Sequence, residues 1–386
     1  MTSVLVVEDG FGPHPLAAVR AFGRAGWQVA VGSPQRAGRA VRSRWTCRWH
    51  EVPPAERDVA AFLAATVAAV DEGAYDLVFG GDDVEVLALS LGRDRLPACF
   101  PYAAHDLVVR AMDKVHLTEA AARAGLSAPP TSTDVEALVP PVYVKSRLHW
   151  TPGGRSTTAR LPVRSCATRA EAAAAADEIV AAGGEPLFQK PVPGRLMALT
   201  AVVHEGQLLA PVQQVAVRES PQWRNSVRAE TVPLDAELAA RAQALLADLG
   251  WFGLANLQFL QPAGGEPHLT DLNGRFYGSM ALALGAGVNH PVLWSRLALS
   301  MPVGRAPVAR VGVRYQVFEE DVRRALVQRR GGLVRDLVDC ARYAPGAVHS
   351  TWSRQDPRPA VHRGAGLARE WRRAAERALR RQRPPH

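Results

Sequence analysis

The stretch NLQFLQPAGGEPHLTDLNGRF, residues 256–276, limits the fold more than any other part of the chain. Two apolar runs, Leu254 to Leu260 and Pro267 to Leu272, flank a Gly264-Gly265 turn, so the spacing predicts a β-hairpin. Side chains two apart on a strand share a face, which sends Asp271 and Asn273 the same way, with Arg275 following from the strand end. A carboxylate and an amide oxygen on one face are hard ligands suited to magnesium, and a guanidinium suits phosphate. A solvated surface hairpin accounts for this segment equally well when it is read alone.

At 386 residues the chain fits two or three domains, and 47% apolar residues supply ample core. Cys47, Cys99, Cys166 and Cys340 are far apart and form no CxxC pair, which argues against zinc ribbons and disulfide frameworks and for a reducing, cytoplasmic setting. The start MTSVLVVEDG enters an apolar strand directly, and no run approaches the ~18 apolar residues of a membrane span. The net charge of +9 rests on arginine: of 46 basic residues only Lys114, Lys145 and Lys190 are lysine. In such a chain a lysine marks a place where a compact ammonium is needed and a planar fork does not fit. The high pI alone suggests a nucleic-acid partner, but no reading motif accompanies it and none is expected.

Residues 1–105 alternate strand and helix: Val4 to Val7, a helix over Pro15 to Gly26, Trp27 to Val31, a helix over Glu56 to Glu72, and Tyr75 to Phe79. This is a βα pattern with a parallel sheet, whose strand ends carry the Gly10–His14 loop and Gly80-Gly81-Asp82-Asp83. Pro13 and the lack of a third glycine exclude a dinucleotide fingerprint. Asp82 and Asp83 read as substrate contacts or, with equal warrant, as the N-cap of a helix over Val84 to Ser90. Further on come a helix from Lys114 to Ala124, the strand PPVYVKS ending on Lys145, and a polar loop with Gly153-Gly154. A helix over Thr168 to Ala182 and the strand Pro186 to Lys190 follow, then a hairpin formed by Leu199 to His204 and Gln207 to Val217.

The order DK-helix-AGLSAPPT, VYVKS, Gly-Gly loop, LFQKPVPG, LQF, TDLNGRFYGS and LALGAGVNHP resembles the ATP-grasp superfamily, and within it the carboxylate-amine ligases. The resemblance covers roughly residues 105–300. It implies an α/β and α+β architecture: a βα pre-ATP-grasp domain over 1–108, then an ATP-grasp domain over 109–305. The latter is two α+β subdomains clasping ATP, with a lid at about 140–190. A C-terminal extension over 306–386 is expected to end in a basic helix. The resemblance further implies ATP and Mg2+ as cofactors. Lys114 and Lys145 would then lie on the phosphates and Gln189, Lys190 and Val192 at the adenine hinge. Asp271 and Asn273 would be metal ligands, and Arg275 would steady the transferred phosphoryl group.

Two positions depart from the family pattern. Gln258 stands where many members carry a metal-binding Glu, and Leu196 stands near a usual ribose-binding Glu. Arg218, Arg224 and Arg228 occupy a segment that faces the acyl group in related ligases, and Trp223 reads as a lid or a core anchor. The chemistry implied is activation of a carboxylate as an acylphosphate followed by attack of an amine, with a small-molecule acid and amine as substrates. An ATP-binding protein without ligase activity is the alternative, because of Gln258 and Leu196.

Beyond Arg305 the resemblance fades. A strand over Val311 to Phe318 and helices over Glu319 to Gln328 and Gly332 to Tyr343 are expected, then an irregular Pro-rich stretch over Ala344 to Ala360. In the tail Leu367, Trp371, Ala375 and Leu379 share a helical face amid arginines. That pattern suits peripheral contact with an anionic membrane, although a helix packed on the domain with its arginines solvated is the simpler reading. The oligomeric state stays open, a homodimer included.

Overall fold

A computed structural model of the protein describes residues 1–10, 12–148, 163–220, 225–364 and 366. Three sheets organise them. The first is parallel and runs in the order Thr46–Glu51, Gln28–Ser33, Ser3–Val7, Leu77–Gly80. Its inner strands are continuous apolar runs because helices cover both faces of such a sheet. Thr46–Glu51 (TCRWHE) was not expected from the sequence: it is an edge strand, and its partly exposed polar residues mask the strand period. The carboxyl ends of Ser3–Val7 and Leu77–Gly80 lie side by side at the switch point of the winding. There Gly81 donates to the Val7 carbonyl at 2.7 Å, and a Cβ at Gly81 would sit 2.9 Å from that oxygen, so only glycine fits.

The second sheet has seven strands, ordered His268–Asn273, Gly253–Gln261, Arg195–His204, Gln207–Glu219, Ser226–Val232, Arg314–Gln316, Ala347–His349. All neighbours are antiparallel except the last pair. The hairpin expected around Gly264-Gly265 is present, with Leu257 opposite Leu272 and Gln258 opposite Asp271. Ala347–His349 forms a short strand inside the stretch expected to be irregular.

The first two sheets share one core. Phe79 from the parallel sheet packs on Phe276 at 5.3 Å and on Trp294 at 4.9 Å between ring centroids, and Phe22 completes the group at 5.6 Å from Phe79. All four rings are fully buried. Aromatic pairs at these separations add to the stabilisation their buried area already provides.

The third sheet is small and antiparallel, ordered Thr131–Ser132, Pro186–Gln189, Val142–Ser146, Arg164–Cys166. The helix Arg169–Ala181, held at its start by a Thr168/Glu171 capping box, covers it. Its core, which includes Val144, Cys166, Ala172, Ile179 and Phe188, is separate from the main one.

Helices Phe318–Gln328 and Leu333–Tyr343 pack behind Ser226–Val232 through buried ion pairs. Arg324 joins Asp321 and Asp336, and Asp321 also accepts from Arg228 and Gln316. The segment after them returns to the first sheet, where Arg20 donates to Asp356 at 2.9 Å and Ser43 donates to the same carboxylate. The basic tail helix expected over Leu367 to Leu379 lies outside the described residues, as do Gly153-Gly154, Trp223 and Arg224. No helix among the described residues is long and apolar enough to cross a membrane.

Candidate active site

A cleft of about 580 Å3 lies where the carboxyl end of the parallel sheet meets the seven-stranded sheet. Pro13, His14 and Asp82 come from the first sheet's loops, and Asn256, Gln258, Arg275 and Tyr277 from the hairpin and its exit.

On the hairpin the register makes two directly opposed pairs, Asn256 with Asn273 and Gln258 with Asp271. The Asn256 Oδ1 accepts from Asn273 Nδ2 at 3.2 Å and from Gln258 Nε2 at 3.4 Å. Both side-chain NH2 groups are thus committed to Asn256, which leaves the amide oxygens of Gln258 and Asn273, with the Asp271 carboxylate, as the hard donors of this face. Asn256 is a member of the group that the sequence reading did not single out. An Asn on an apolar strand carries no signal until its cross-strand partner is known. The described residues contain no cluster of three or more His, Cys, Asp or Glu side chains fit for a metal, so a cation here would rest on one carboxylate and neutral oxygens.

The two lysines are brought together by a clasp. Asp113 caps the helix Lys114–Arg123, accepting from Val115 and His116 amides, and also takes both Arg147 Nε at 2.9 Å and Arg147 Nη2 at 2.7 Å. Arg147 follows directly on Val142–Ser146, so the clasp draws the end of that strand to the helix that begins at Lys114. Burial, and then the positive field of Lys114, lowers the Lys145 ammonium to about 8, while Asp271 opposes the shift. Lys145 therefore lies within electrostatic reach of both Lys114 and Asp271. Lys145 Nζ donates to Gln189 Oε1 at 2.9 Å, and Gln189 Nε2 donates to Thr131.

Lys190 departs from its expected role. Its ammonium donates to the Val139 and Pro141 carbonyls, and its backbone N–H donates to the Pro130 carbonyl. Scarcity of lysine marked it, but two surplus carbonyls account for it. Val192 is buried beside it in the connection between the small sheet and Arg195–His204.

Arg275 lies on the cleft wall but is already held. Its Nε and Nη2 pair with Asp83 at 2.8 and 3.1 Å, Nη2 reaches Asp82 at 3.0 Å, and Nη1 donates to the Phe276 carbonyl. Burial alone would lower its pKa, but Asp82 and then Asp83 outweigh that and hold it above the usual arginine range. Asp82 and Asp83 thus serve as cap and counter-ion together, since Asp82 also forms a capping box with Glu85. Arg275 thus ties the first sheet to the hairpin.

Arg218 and Arg228 require correction. Val227 lines the cleft, so its neighbour Arg228 points to the opposite face, where it donates to Asp321 at 2.5 Å, lies 2.9 Å from Asp339 and stacks on Tyr343 at 4.5 Å. Arg218 pairs with Asp339 at 2.5 Å. Irregularities between Ala216 and Glu219 break the alternation that would have turned Arg218 inward with Ala216. Both arginines anchor the two C-terminal helices, a role hidden in sequence because the acidic partners lie about a hundred residues away.

Near the switch point, Glu8 is buried and neither of its oxygens has a hydrogen-bond partner among the described residues. Burial, and then the charge of Asp9, raises its carboxyl to about 8; the Gly10 amide pulls the other way from a position outside hydrogen-bond geometry. The C-terminal region also reaches the cleft, through Tyr315, Val317, Glu319, Glu320 and Arg323. The sequence reading assigned no site residue there.

With this geometry in place, likeness to known proteins can be stated. Residues 198–321 match the family described as ATP-grasp in the biosynthetic pathway with Ter operon. The biotin carboxylase domain of 2-oxoglutarate carboxylase from Hydrogenobacter thermophilus, in complex with MgADP, ADP and bicarbonate, superposes with a TM-score of 0.63. It is 16% identical over 81% of this chain and 73% of its own. An L-amino acid ligase from Bacillus licheniformis gives 0.60 at 15% identity, covering 78% of this chain and 74% of that one. The ADP complex of N5-carboxyaminoimidazole ribonucleotide synthetase gives 0.58 at 16% identity, covering 86% of each chain. No curated protein sequence matches. The fold is the ATP-grasp fold. Within it, the matching segment carries the hairpin, the cleft strands and the start of the C-terminal helices.

Proposed function

We propose that this protein is an ATP-dependent ligase that activates a small-molecule carboxylate as an acylphosphate and joins it to an amine, releasing ADP and phosphate. The observation that carries the reading is the approach of the Lys114 and Lys145 segments, tied by the Asp113–Arg147 clasp, with the Lys114 ammonium and the Asp271 carboxylate both acting on Lys145, the first lowering its pKa and the second raising it. Lys114 and Lys145 suit nucleotide phosphates, and Gln189 and Val192 suit the adenine side. Asp271 with the oxygens of Asn273 and Gln258 fits a hard cation such as Mg2+, which would neutralise phosphate charge when bound. Apart from that neutralisation, the chain's own work is to align an acid, the nucleotide and an amine in the cleft. A carboxylate alone resists attack by an amine because oxide would have to leave; phosphorylation supplies phosphate as the leaving group, and the amine then forms the C–N bond.

Two observations favour the alternative, an ATP-binding protein of the same fold without ligase activity. Arg275 is saturated by Asp82 and Asp83, and the hairpin has one carboxylate. Measuring ADP release over a panel of acids, with hydroxylamine to trap any acylphosphate as a hydroxamate, separates the two. Hydroxamate formation supports the ligase; tight ATP binding with no ADP release from any acid supports the alternative.

A further inference from the structure

A groove of about 970 Å3, larger than the cleft, runs between the helices His14–Arg24 and Met280–Gly285 and the strand Ala347–His349. Its floor is small and apolar, with Ala17, Ala281, Leu284 and Val348 among its side chains. Phe318 and Trp352 also line it and remain 46% and 48% exposed. The helix that ends at Arg24 in this groove begins at His14 on the cleft wall, and its 11 residues set the two sites about 16 Å apart.

The mouth of the groove carries one sign of charge. Arg24 and Arg354 line it and are exposed, and neither has an ion-pair partner among the described residues. Arg24 meets the Ser353 hydroxyl at 3.4 Å, and the exposed Arg44 donates to the Gln355 carbonyl at 3.3 Å, so three guanidiniums gather around the turn 353–356. Asp356, the acid of that turn, is fully buried and bound by Arg20, Ser43 and the Arg44 amide. Among the described residues no carboxylate lines the groove.

Like charge excludes two occupants from within the protein itself. A second copy seated groove to groove would set these arginines against themselves, since a two-fold contact repeats one patch on both sides. The chain after Gly366 carries seven arginines against two glutamates and is repelled as well. A peptide from a partner would bring backbone N–H and C=O groups onto a floor of Ala, Leu and Val side chains that cannot pair them. An acyl chain has no such groups. We propose that the groove and its arginine mouth dock the protein on a membrane containing anionic phospholipid. Phosphate headgroups meet Arg24, Arg44 and Arg354, acyl carbons cover the floor, and Trp352 lies at the interface. The cleft, at the other end of the helix, stays open.

Co-sedimentation of the full chain with phosphatidylglycerol vesicles and with phosphatidylcholine vesicles tests this. Binding to the first and not to the second is expected, and it should weaken as salt is added. The double variant Arg24→Gln, Arg354→Gln should bind roughly tenfold or more weakly, at about fivefold for each arginine lost, and Trp352→Ser should bind several-fold more weakly. Melting temperature and affinity for a non-hydrolysable ATP analogue should stay at wild-type values in both. In the wild type, phosphatidylglycerol vesicles should slow amide hydrogen exchange over 344–354, a readout that needs no variant. The proposal is overturned if phosphatidylglycerol vesicles are not bound, if the double variant binds them as wild type does, or if the slowed amides lie elsewhere. Displacement from the vesicles by polyglutamate at equal charge would name an acidic protein as the partner and overturn the lipid assignment.

Discussion

Gln258 and Asp271 face each other across the hairpin, a neutral amide set directly opposite the one carboxylate of that face. A neutral ligand attracts a cation less than a carboxylate does, and the difference grows where water is scarce. Asp271→Asn should therefore abolish turnover at millimolar magnesium, Gln258→Ala should cost much less, and Gln258→Glu should lower the magnesium needed for half-maximal activity. Activity titrations against magnesium in the three variants check this. Normal turnover in Asp271→Asn would remove the metal from the hairpin.

Lys145→Met should reduce ATP turnover by roughly a hundredfold or more, the scale of losing one well-placed charge donor, with the melting transition kept. Lys145→Arg should also be poor, because a planar fork does not reproduce the bond that the compact ammonium makes to Gln189. With its ammonium lowered to about 8, Lys145 is charged below that pH and neutral above it. ATP affinity should thus fall between pH 7 and 9 in wild type more than in Lys145→Met, as read by nucleotide titration at each pH. An equal fall in both would place the titrating group elsewhere.

Arg275→Met leaves the buried Asp83 and the partly exposed Asp82 without this guanidinium. Breaking one side of a buried pair costs about 3–5 kcal/mol, so the variant should unfold at clearly lower denaturant. A triple variant with Asp82→Asn and Asp83→Asn should recover much of that loss, although the cap weakens. If Arg275→Met is as stable as wild type, the guanidinium is not the tie between the two sheets.

Glu8 supplies a pH signature of the fold. Its carboxyl titrates near 8 when folded and at the ordinary carboxylate value when unfolded, so between those values the native state holds the extra proton. Stability then falls as pH rises through that window. Glu8→Gln should remove this slope, gaining over wild type from pH 5 to pH 8 and by a constant margin above. Parallel stability curves for the two proteins would show that Glu8 is hydrated or paired.

The fold was legible where period and punctuation agree. The Gly264-Gly265 hairpin and the helix after Lys114 were expected within a residue or so of where they lie. Thr46–Glu51 was missed because an edge strand need not alternate, and Ser226–Val232 because its alternate residues serve two different buried faces. For the site, residue type singled out Lys145, Asp271 and Lys190 alike, but the partners Lys190 meets are backbone carbonyls that no sequence pattern announces. The arginines were the hardest to read. A guanidinium shows its role only through its acid, and for Arg228 and Arg275 that acid is 93 and 192 residues away.

The small sheet that bears Lys145 and Gln189 has a core of its own, while Arg275 and the shared aromatic cluster bind the other two sheets into one body. Cooperativity should divide along that line. The small sheet is a separate foldon, free to exchange its amide hydrogens through openings that leave the rest intact. A nucleotide held by Lys145 on one side and Asp271 on the other would link the two units, so the amides of Val142–Ser146 and Pro186–Gln189 should slow most on binding. Affinity would then contain the free energy of fastening one unit to the other, and changes in the distant core of the small sheet would alter it without touching the ligand.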